Sequence, residues 1–234
     1  RNNKITVYGN TSALIDSNNK PYINFDGTGD YCQLAPTTGV DFGTGDFTIE
    51  VFVSFNSVAL AEQIIFARFS SWTSSVGFLF EVRTSGVRFY AGNSIPLSLI
   101  SSTGVIAANT LYHIAVSGSG GTTKIFVNGT SVVSSSSAAT ISNTGNIRIG
   151  NDPQTSGSNL NAKVYSMRVT KGIARYSEDF SVDLTNPYFP KKTSFVSSKN
   201  GGTSGILYDG LRTITKVLGS AGNVGGWVDV ANGG

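Results

Sequence analysis

Two glutamates in strand-like segments are the first candidates for catalysis. A retaining glycosidase needs two carboxyl groups about 5–5.5 Å apart, one as nucleophile and one as acid. Alternate positions on one strand would provide this arrangement, because side chains two residues apart share a face. Glu50, however, has a threonine and a phenylalanine as its neighbours on that face, and Glu81 has a leucine and an arginine. We therefore expect no glycosidase of this kind, and a protein that is not an enzyme.

The only histidine and the only cysteine limit other catalytic chemistry. His113 alternates with apolar residues along a strand-like segment, which is typical of a packed, hydrogen-bonded structural histidine. Cys32 lies in a similar segment and is interpreted as a small buried hydrophobic side chain, and a single cysteine allows no intrachain disulfide. With one histidine, which is expected to be structural, and one cysteine, we expect neither a catalytic triad nor a zinc site.

Sugar recognition needs an exposed aromatic ring beside amide or hydroxyl groups. The ring covers the apolar face of a sugar, and the polar groups bond its hydroxyls. We predict a carbohydrate site formed by Trp72, in the polar stretch 70–75, together with Asn93, Asn151 and Asp152 from other loops. The alternative is that Trp72 closes the end of the fold or packs on a neighbouring molecule.

The composition excludes several kinds of partner. Charged residues make up 13% of the 234 residues, against about 25% in an average domain. The net charge of +3 is scattered, so we expect no nucleic-acid binding. No apolar run approaches the roughly 20 residues of a membrane helix, so we expect no membrane insertion. A surface of serine, threonine, asparagine and glycine suits subunit contacts or neutral ligands.

Period-two alternation of apolar and polar residues dominates the chain before residue 190. It is clearest in residues 47–55 and 76–83, where one face carries the apolar side chains. Thr84-Ser85-Gly86 and Asn128-Gly129 indicate hairpin turns. Residues 171–176 are predicted to form one short helical turn. Short strands and 28 glycines favour an all-β sandwich or barrel.

Six short motifs occur in a fixed order between residues 22 and 190. They are FDGTGDY (25–31), DFGTGDFTIE (41–50), LYHIAV (111–116), IFVNG (125–129), GNIRIG (145–150) and MRVTKGIARY (167–176). In series they resemble the laminin-G-like, concanavalin A-like jelly-roll modules of phage virion and tail proteins. The resemblance implies two antiparallel sheets in a jelly roll over residues 1–190.

The same resemblance implies a role and a location. We expect a non-enzymatic virion structural module, as a capsid-decoration, appendage or tail protein, with a glycan-binding face for attachment to the host surface. Its partners would be other copies of itself, other virion proteins and cell-surface glycan. The alternative is a lectin-type adhesin module of a secreted bacterial surface protein, located outside the cell.

Calcium is the metal that the resemblance suggests, because related modules hold it on carboxylate and carbonyl oxygens. Asp26 and Asp30 flank a Gly-Thr-Gly turn, where their oxygens would converge. The alternative is that both aspartates cap the turn through the backbone. Relatives often have an acidic pair before the last motif, whereas this chain has Tyr165-Ser166-Met167 there.

Residues 191–234 differ from the rest of the chain and are predicted to form an arm or linker. Within the arm, residues 206–218 fit either an amphipathic helix or a strand. The arm has too many apolar residues for a solvated linker. We expect it to dock on another subunit or virion protein; the alternative is that it folds back and completes its own sandwich.

Overall fold

The computed structural model describes residues 5–68, 77–91, 97–137, 140–142, 145–153, 157–189, 213–214 and 227–231. Within these ranges the chain forms sixteen β-strands and one 3₁₀ turn at Thr38–Val40. The strands are β1 Ile5–Tyr8, β2 Ser12–Ile15, β3 Pro21–Asp26, β4 Tyr31–Leu34, β5 Phe47–Phe55, β6 Gln63–Arg68, β7 Phe78–Arg83, β8 Gly86–Ala91, β9 Leu97–Ile100, β10 Leu111–Ser119, β11 Thr122–Val127, β12 Thr130–Ser135, β13 Ile147–Ile149, β14 Asn161–Lys171, β15 Thr213–Ile214 and β16 Trp227–Ala231.

The strands form two sheets that pack face to face. The first sheet has the order β1-β4-β13-β6-β7-β8-β9. The second has the order β12-β11-β10-β5-β14-β16-β15, with β3 beside β14 and β2 beside β3. The described pairings are antiparallel except that of β14 with β16. The predicted all-β jelly-roll sandwich is therefore confirmed.

Strand alternation decides which side chains fill the space between the sheets. Both sheets contribute fully buried phenylalanines to this core, among them Phe25, Phe55, Phe66, Phe78, Phe80 and Phe89. Cys32 belongs to the same core and is 2% exposed. Burial, with a smaller effect of Asp30, raises the pKa of the Cys32 thiol to about 12. The prediction of a small buried hydrophobic side chain is confirmed.

Both predicted hairpin turns are present. Asn128 and Gly129 have φ of 50° and 83°, and they connect β11 to β12. Thr84 and Ser85, with φ of 47° and 60°, connect β7 to β8. Left-handed backbone at both central residues matches the twist of the flanking strands.

Residues 172–189 form an irregular segment, which we call the strap, across the outer face of the second sheet. The predicted helical turn at residues 171–176 is wrong, because side chains of the sheet satisfy the backbone there. The Thr48 hydroxyl donates to the carbonyl of Ile173 at 3.0 Å and accepts from the N–H of Arg175 at 2.9 Å. The strap is therefore anchored to β5 and does not close on itself.

A β-bulge in β14 sets the faces of its side chains. The pairing of β14 with β5 shifts register between Val164 and Ser166, so Tyr165 is an extra residue. Val164 and Met167 consequently both lie in the core, although they are three positions apart. The shift places Arg168 on the outer face, under the strap.

The two described parts of the arm pair within the chain. Trp227–Ala231 lies parallel to residues 166–170 of β14, and Thr213–Ile214 pairs with Trp227–Ala231. At residues 213–214 the strand alternative is the one observed. The remaining residues of the arm lie outside the described ranges, so the domain boundary at residue 190 stays a prediction.

Candidate ligand-binding face

A row of register-aligned residues crosses the outer face of the first sheet. It takes one residue from each strand: Thr6, Gln33, Arg148, Ala67, Leu79, Tyr90 and Ser98. Alternation turns these side chains outward, because Cys32 and Leu34 in β4 and Ile147 and Ile149 in β13 fill the core. Polar groups are concentrated at the β1 end of the row.

At that end two tyrosines and an arginine form a stack. The ring centroids of Tyr8 and Tyr31 are 4.4 Å apart, with 13° between the ring planes. The guanidinium carbon of Arg148 lies 4.3 Å from the centroid of Tyr31. Since β4 lies between β1 and β13, Tyr31 is held between Tyr8 and Arg148. Tyr8, the outermost residue, is 38% exposed. We call Tyr8, Tyr31, Gln33 and Arg148 the outer platform.

Hydrogen bonds fix the position of the arginine. Arg148 Nε donates to Gln33 Oε1 at 3.1 Å. Its Nη1 donates to Asn151 Oδ1 at 3.0 Å and to the carbonyl of Asp152 at 3.1 Å. Asn151 is itself oriented, because its amide nitrogen donates to Asn159 Oδ1 at 2.5 Å. These acceptors are neutral, and they hold the guanidinium against the Tyr31 ring.

The structure places two of the four predicted carbohydrate-binding residues beside this platform. Asn151 and Asp152 are each 3% exposed, so they lie behind the platform as supports for Arg148. Trp72 and Asn93 lie outside the described residues. The participation of all four in carbohydrate binding stays a prediction.

The platform itself was not predicted from the sequence. The alternation in residues 31–34 and 147–149 does indicate that Tyr31, Gln33 and Arg148 point away from the core. It does not indicate that β1, β4 and β13 are neighbours, because these strands are far apart in the chain. The stack depends on that long-range pairing.

Asp26 and Asp30 use their carboxylates to hold the turn between β3 and β4. Asp30 is fully buried, and its two oxygens accept backbone N–H groups from Asn10 at 2.5 Å and Asp26 at 2.9 Å. Asp26 Oδ1 accepts the N–H of Thr28 at 2.7 Å. Among the described residues no group of three or more His, Cys, Asp and Glu side chains is placed to hold a metal. These hydrogen bonds are those of the turn-capping alternative. Calcium binding at Asp26 and Asp30 stays a prediction.

Glu50 lies at the centre of a buried polar cluster beneath the strap. Its Oε1 accepts from Arg168 Nε at 2.6 Å, and its Oε2 accepts from Tyr176 OH at 2.7 Å and lies 3.1 Å from His113 Nε2. Burial raises the pKa of Glu50, but the His113 hydrogen bond and the Arg168 charge outweigh it and leave that pKa below its usual value. The cluster has the properties of a structural ion pair, and His113 is packed and hydrogen-bonded as predicted.

Aromatic side chains of the strap close this cluster. Phe180 stacks on Tyr176, with ring centroids 3.7 Å apart. Phe189 packs on Phe52 at 5.1 Å and lies 4.3 Å from the guanidinium carbon of Arg168. Glu50 is consequently 0% exposed and cannot be reached by a substrate.

Glu81, the other carboxylate considered for catalysis, is in the first sheet and is 1% exposed. It pairs with Arg88 Nη1 at 2.9 Å. Burial raises the pKa of Glu81, and Arg88 opposes this effect only in part. Glu50 and Glu81 therefore lie in different sheets, each with its own arginine, and do not form a catalytic carboxylate pair.

A small open pocket lies at one end of the sandwich. Glycine, serine and threonine line most of it: Gly43, Thr44, Gly45, Gly118, Ser119, Gly120, Gly121, Thr122, Thr123 and Ser137, with Phe47, Leu97 and Ile141. Its aromatic ring, Phe47, is only 4% exposed. The pocket therefore offers hydroxyl groups but no accessible aromatic ring face. The outer platform provides such a ring face.

The two stacked sheets define a jelly-roll domain of the lectin type. The chain belongs to the concanavalin A-like lectin/glucanases superfamily, since the laminin G-type family model of that description matches residues 26–175. No curated protein matches the chain. In the described part of the chain, no helix is long and apolar enough to cross a membrane.

Binding domains of two toxins are among the solved structures that share this fold. The binding domain of Paraclostridial mosquitocidal protein 1 is 14% identical with a TM-score of 0.57, over 70% of this chain and 43% of that one. The binding domain of botulinum neurotoxin serotype G is 11% identical with a TM-score of 0.57, over 78% of this chain and 44% of that one. This chain thus spans less than half of each domain, and the similarity concerns the fold.

Proposed function

We propose that this protein is a non-catalytic recognition module that binds a glycan through the outer platform. The observation behind this proposal is the partly exposed Tyr8 ring, stacked on Tyr31 beside fixed polar side chains. A sugar would place its apolar face on Tyr8, and its hydroxyls would bond the side chains of Gln33 and Arg148. Both similar structures named above are binding domains of toxins, which supports a role in recognition.

The absence of catalysis is part of the proposal. The two glutamates in strand positions are buried, lie in different sheets and are neutralised by arginines. A glycosidase needs its two carboxyl groups on either side of one scissile bond. Glycan-cleavage assays of the pure protein should detect no product, and activity lost on Glu50→Gln or Glu81→Gln would contradict this.

We further propose that the module belongs to a virion, as a decoration, appendage or tail protein that contacts other copies of itself or other virion proteins. The fixed order of the six sequence motifs supports this location, as does a charged fraction of only 13%. The competing assignment is a secreted adhesin on a bacterial surface. Sedimentation velocity separates the two: a symmetric oligomer favours the particle protein, and a monomer with sugar affinity favours the adhesin.

Glycan binding is tested with an array screen, followed by calorimetric titration of the best glycan. Tyr8→Ala should weaken binding by about 1–3 kcal/mol, the scale measured for bases stacked on aromatic side chains. Leu60→Ala is the matched control, because Leu60 is 40% exposed and lies outside the platform. Circular dichroism confirms that each variant is folded.

Trp72→Ala is a third variant for the same titration. Loss of binding in Trp72→Ala with full binding in Tyr8→Ala would place the glycan site at residues 70–75 and not at the outer platform. Titration with calcium and with a chelator tests whether Asp26 and Asp30 contribute through a metal. Equal affinity in both conditions would exclude calcium from recognition.

A further inference from the structure

We propose that the outer platform selects an acidic glycan, with one anionic sugar substituent, a carboxylate or a sulfate, bound to Arg148 and the sugar ring against Tyr8. This inference rests on the proposed function and names the ligand class of the same site. The choice of an acidic glycan depends on two properties of Arg148: which of its N–H donors already have acceptors, and whether it forms an ion pair with a carboxylate.

One side-chain nitrogen of Arg148 is left to donate to a ligand. A guanidinium group has five N–H donors. Nε bonds Gln33, and Nη1 bonds Asn151 and Asp152. No described residue accepts a hydrogen bond from Nη2, and the Arg148 residue as a whole is partly exposed. Nη2 is therefore the nitrogen that can donate to a ligand, on a group whose Nε and Nη1 are already fixed by hydrogen bonds.

Arg148 forms no ion pair with a carboxylate within the described residues. Four arginines of the described ranges form ion pairs with glutamates: Arg83 with Glu62, Arg88 with Glu81, and Arg168 and Arg175 with Glu50. Arg68 forms no described ion pair either, but it is buried at 4% exposure and donates to the carbonyl of Thr37. No described salt bridge includes Arg148, which contacts two side-chain amides, a carbonyl and a ring face. A fixed cation with an open donor nitrogen is suited to donate a charge-assisted hydrogen bond to an incoming anion.

Arg88 provides an internal comparison on the same sheet face. Its guanidinium carbon lies 5.2 Å from the Tyr90 ring centroid, so it also stacks on a tyrosine. Its Nη1, however, pairs with Glu81 at 2.9 Å. The sheet thus holds two arginine–tyrosine stacks, and the one beside the exposed Tyr8 is the one without a described carboxylate partner. A single anionic group fits there, which is consistent with a protein too weakly charged to bind a polyanion.

The experiment uses an array of matched glycan pairs. The members of each pair differ only in a carboxylate (glucuronic acid against glucose, sialylated against desialylated) or only in a sulfate. We expect the native protein to bind the acidic member at least about tenfold more tightly, a difference of about 1.4 kcal/mol. Arg148→Gln should abolish this preference and Arg148→Lys should retain part of it. Arg83→Gln, which removes the same charge from an exposed side chain on the same sheet face, should leave the preference unchanged.

Each outcome is informative. Equal binding of acidic and neutral members overturns this inference and leaves glycan recognition standing. No binding of any glycan overturns the proposed function as well. Preference for only the carboxylate pairs or only the sulfate pairs identifies the anion. If Arg148→Gln fails to fold, salt titration of the native protein replaces it: added salt must weaken binding of the acidic member and spare the neutral one, and equal weakening contradicts the inference.

Discussion

Glu50 accepts a 2.6 Å hydrogen bond from Nε of Arg168, and the pair is enclosed between the second sheet and the strap. The two residues are on neighbouring strands, since Glu50 pairs in register with Arg168. Tyr176 of the strap donates to the same carboxylate at 2.7 Å. The pair therefore joins two strands of the sheet to the segment that covers them.

Glu50→Gln should strongly destabilise the protein. The substitution keeps the side-chain shape but leaves the Arg168 guanidinium buried without its counter-ion, and such losses cost about 3–5 kcal/mol. Urea unfolding monitored by tryptophan fluorescence measures the change. Glu62→Gln is the matched control, because Glu62 pairs with Arg83 at a partly exposed position; it should cost no more than about 1 kcal/mol. Similar costs for both variants would contradict the structural role of the cluster.

The two buried glutamates should give the stability opposite pH dependences. The pKa of Glu50 is lowered, so its contribution is full above its ordinary value of 4.5 and is lost as the pH falls through the folded-state pKa. The pKa of Glu81 is raised, so its contribution is full below 4.5 and is lost as the pH rises through the folded-state pKa.

Urea midpoints measured from about pH 3 to pH 7 test this dependence. Glu50→Gln should reduce the stability that is lost when the pH is lowered. Glu81→Gln should reduce the stability that is lost when the pH is raised. Parallel curves for the native protein and both variants would show that neither carboxylate contributes in the stated direction.

Local alternation was sufficient to predict the strands of the sandwich and the faces of most of their side chains. In β5 the predicted core positions, such as Ile49 and Val51, are all in the core. The Asn128-Gly129 turn was also predictable, because its backbone requirement is local. These features depend on residues within a few positions of one another.

Features that depend on long-range pairing were not predictable in this way. In β14, strict alternation from Val164 would direct Arg168 into the core, whereas the bulge at Tyr165 turns it outward to Glu50. Tyr8, Tyr31 and Arg148 likewise meet only because β1, β4 and β13 are adjacent. A single sequence contains no direct signal for either arrangement.

Thr84→Asn should stabilise the protein. Thr84 has φ of 47°, a left-handed conformation that β-branched residues rarely adopt and that asparagine tolerates. Relief of this strain should raise the free energy of unfolding by about 1 kcal/mol. Thr130→Asn, the same change at an exposed position of β12, should give no gain. A loss of stability in Thr84→Asn would show that the turn depends on the threonine side chain.

Ending the chain after Pro190 should lower its melting temperature. Residues 166–170 of β14 pair with Trp227–Ala231, so truncation leaves backbone groups on that edge without their partner. Ending the chain after Ala231 is the control, because it keeps this pairing, and it should leave the melting temperature unchanged.

Differential scanning calorimetry and sedimentation velocity on both truncated chains distinguish pairing within the chain from the predicted docking on another subunit. An unchanged melting temperature with loss of oligomers would favour docking, whereas destabilisation of a chain that is monomeric at full length would show that the arm completes its own sandwich.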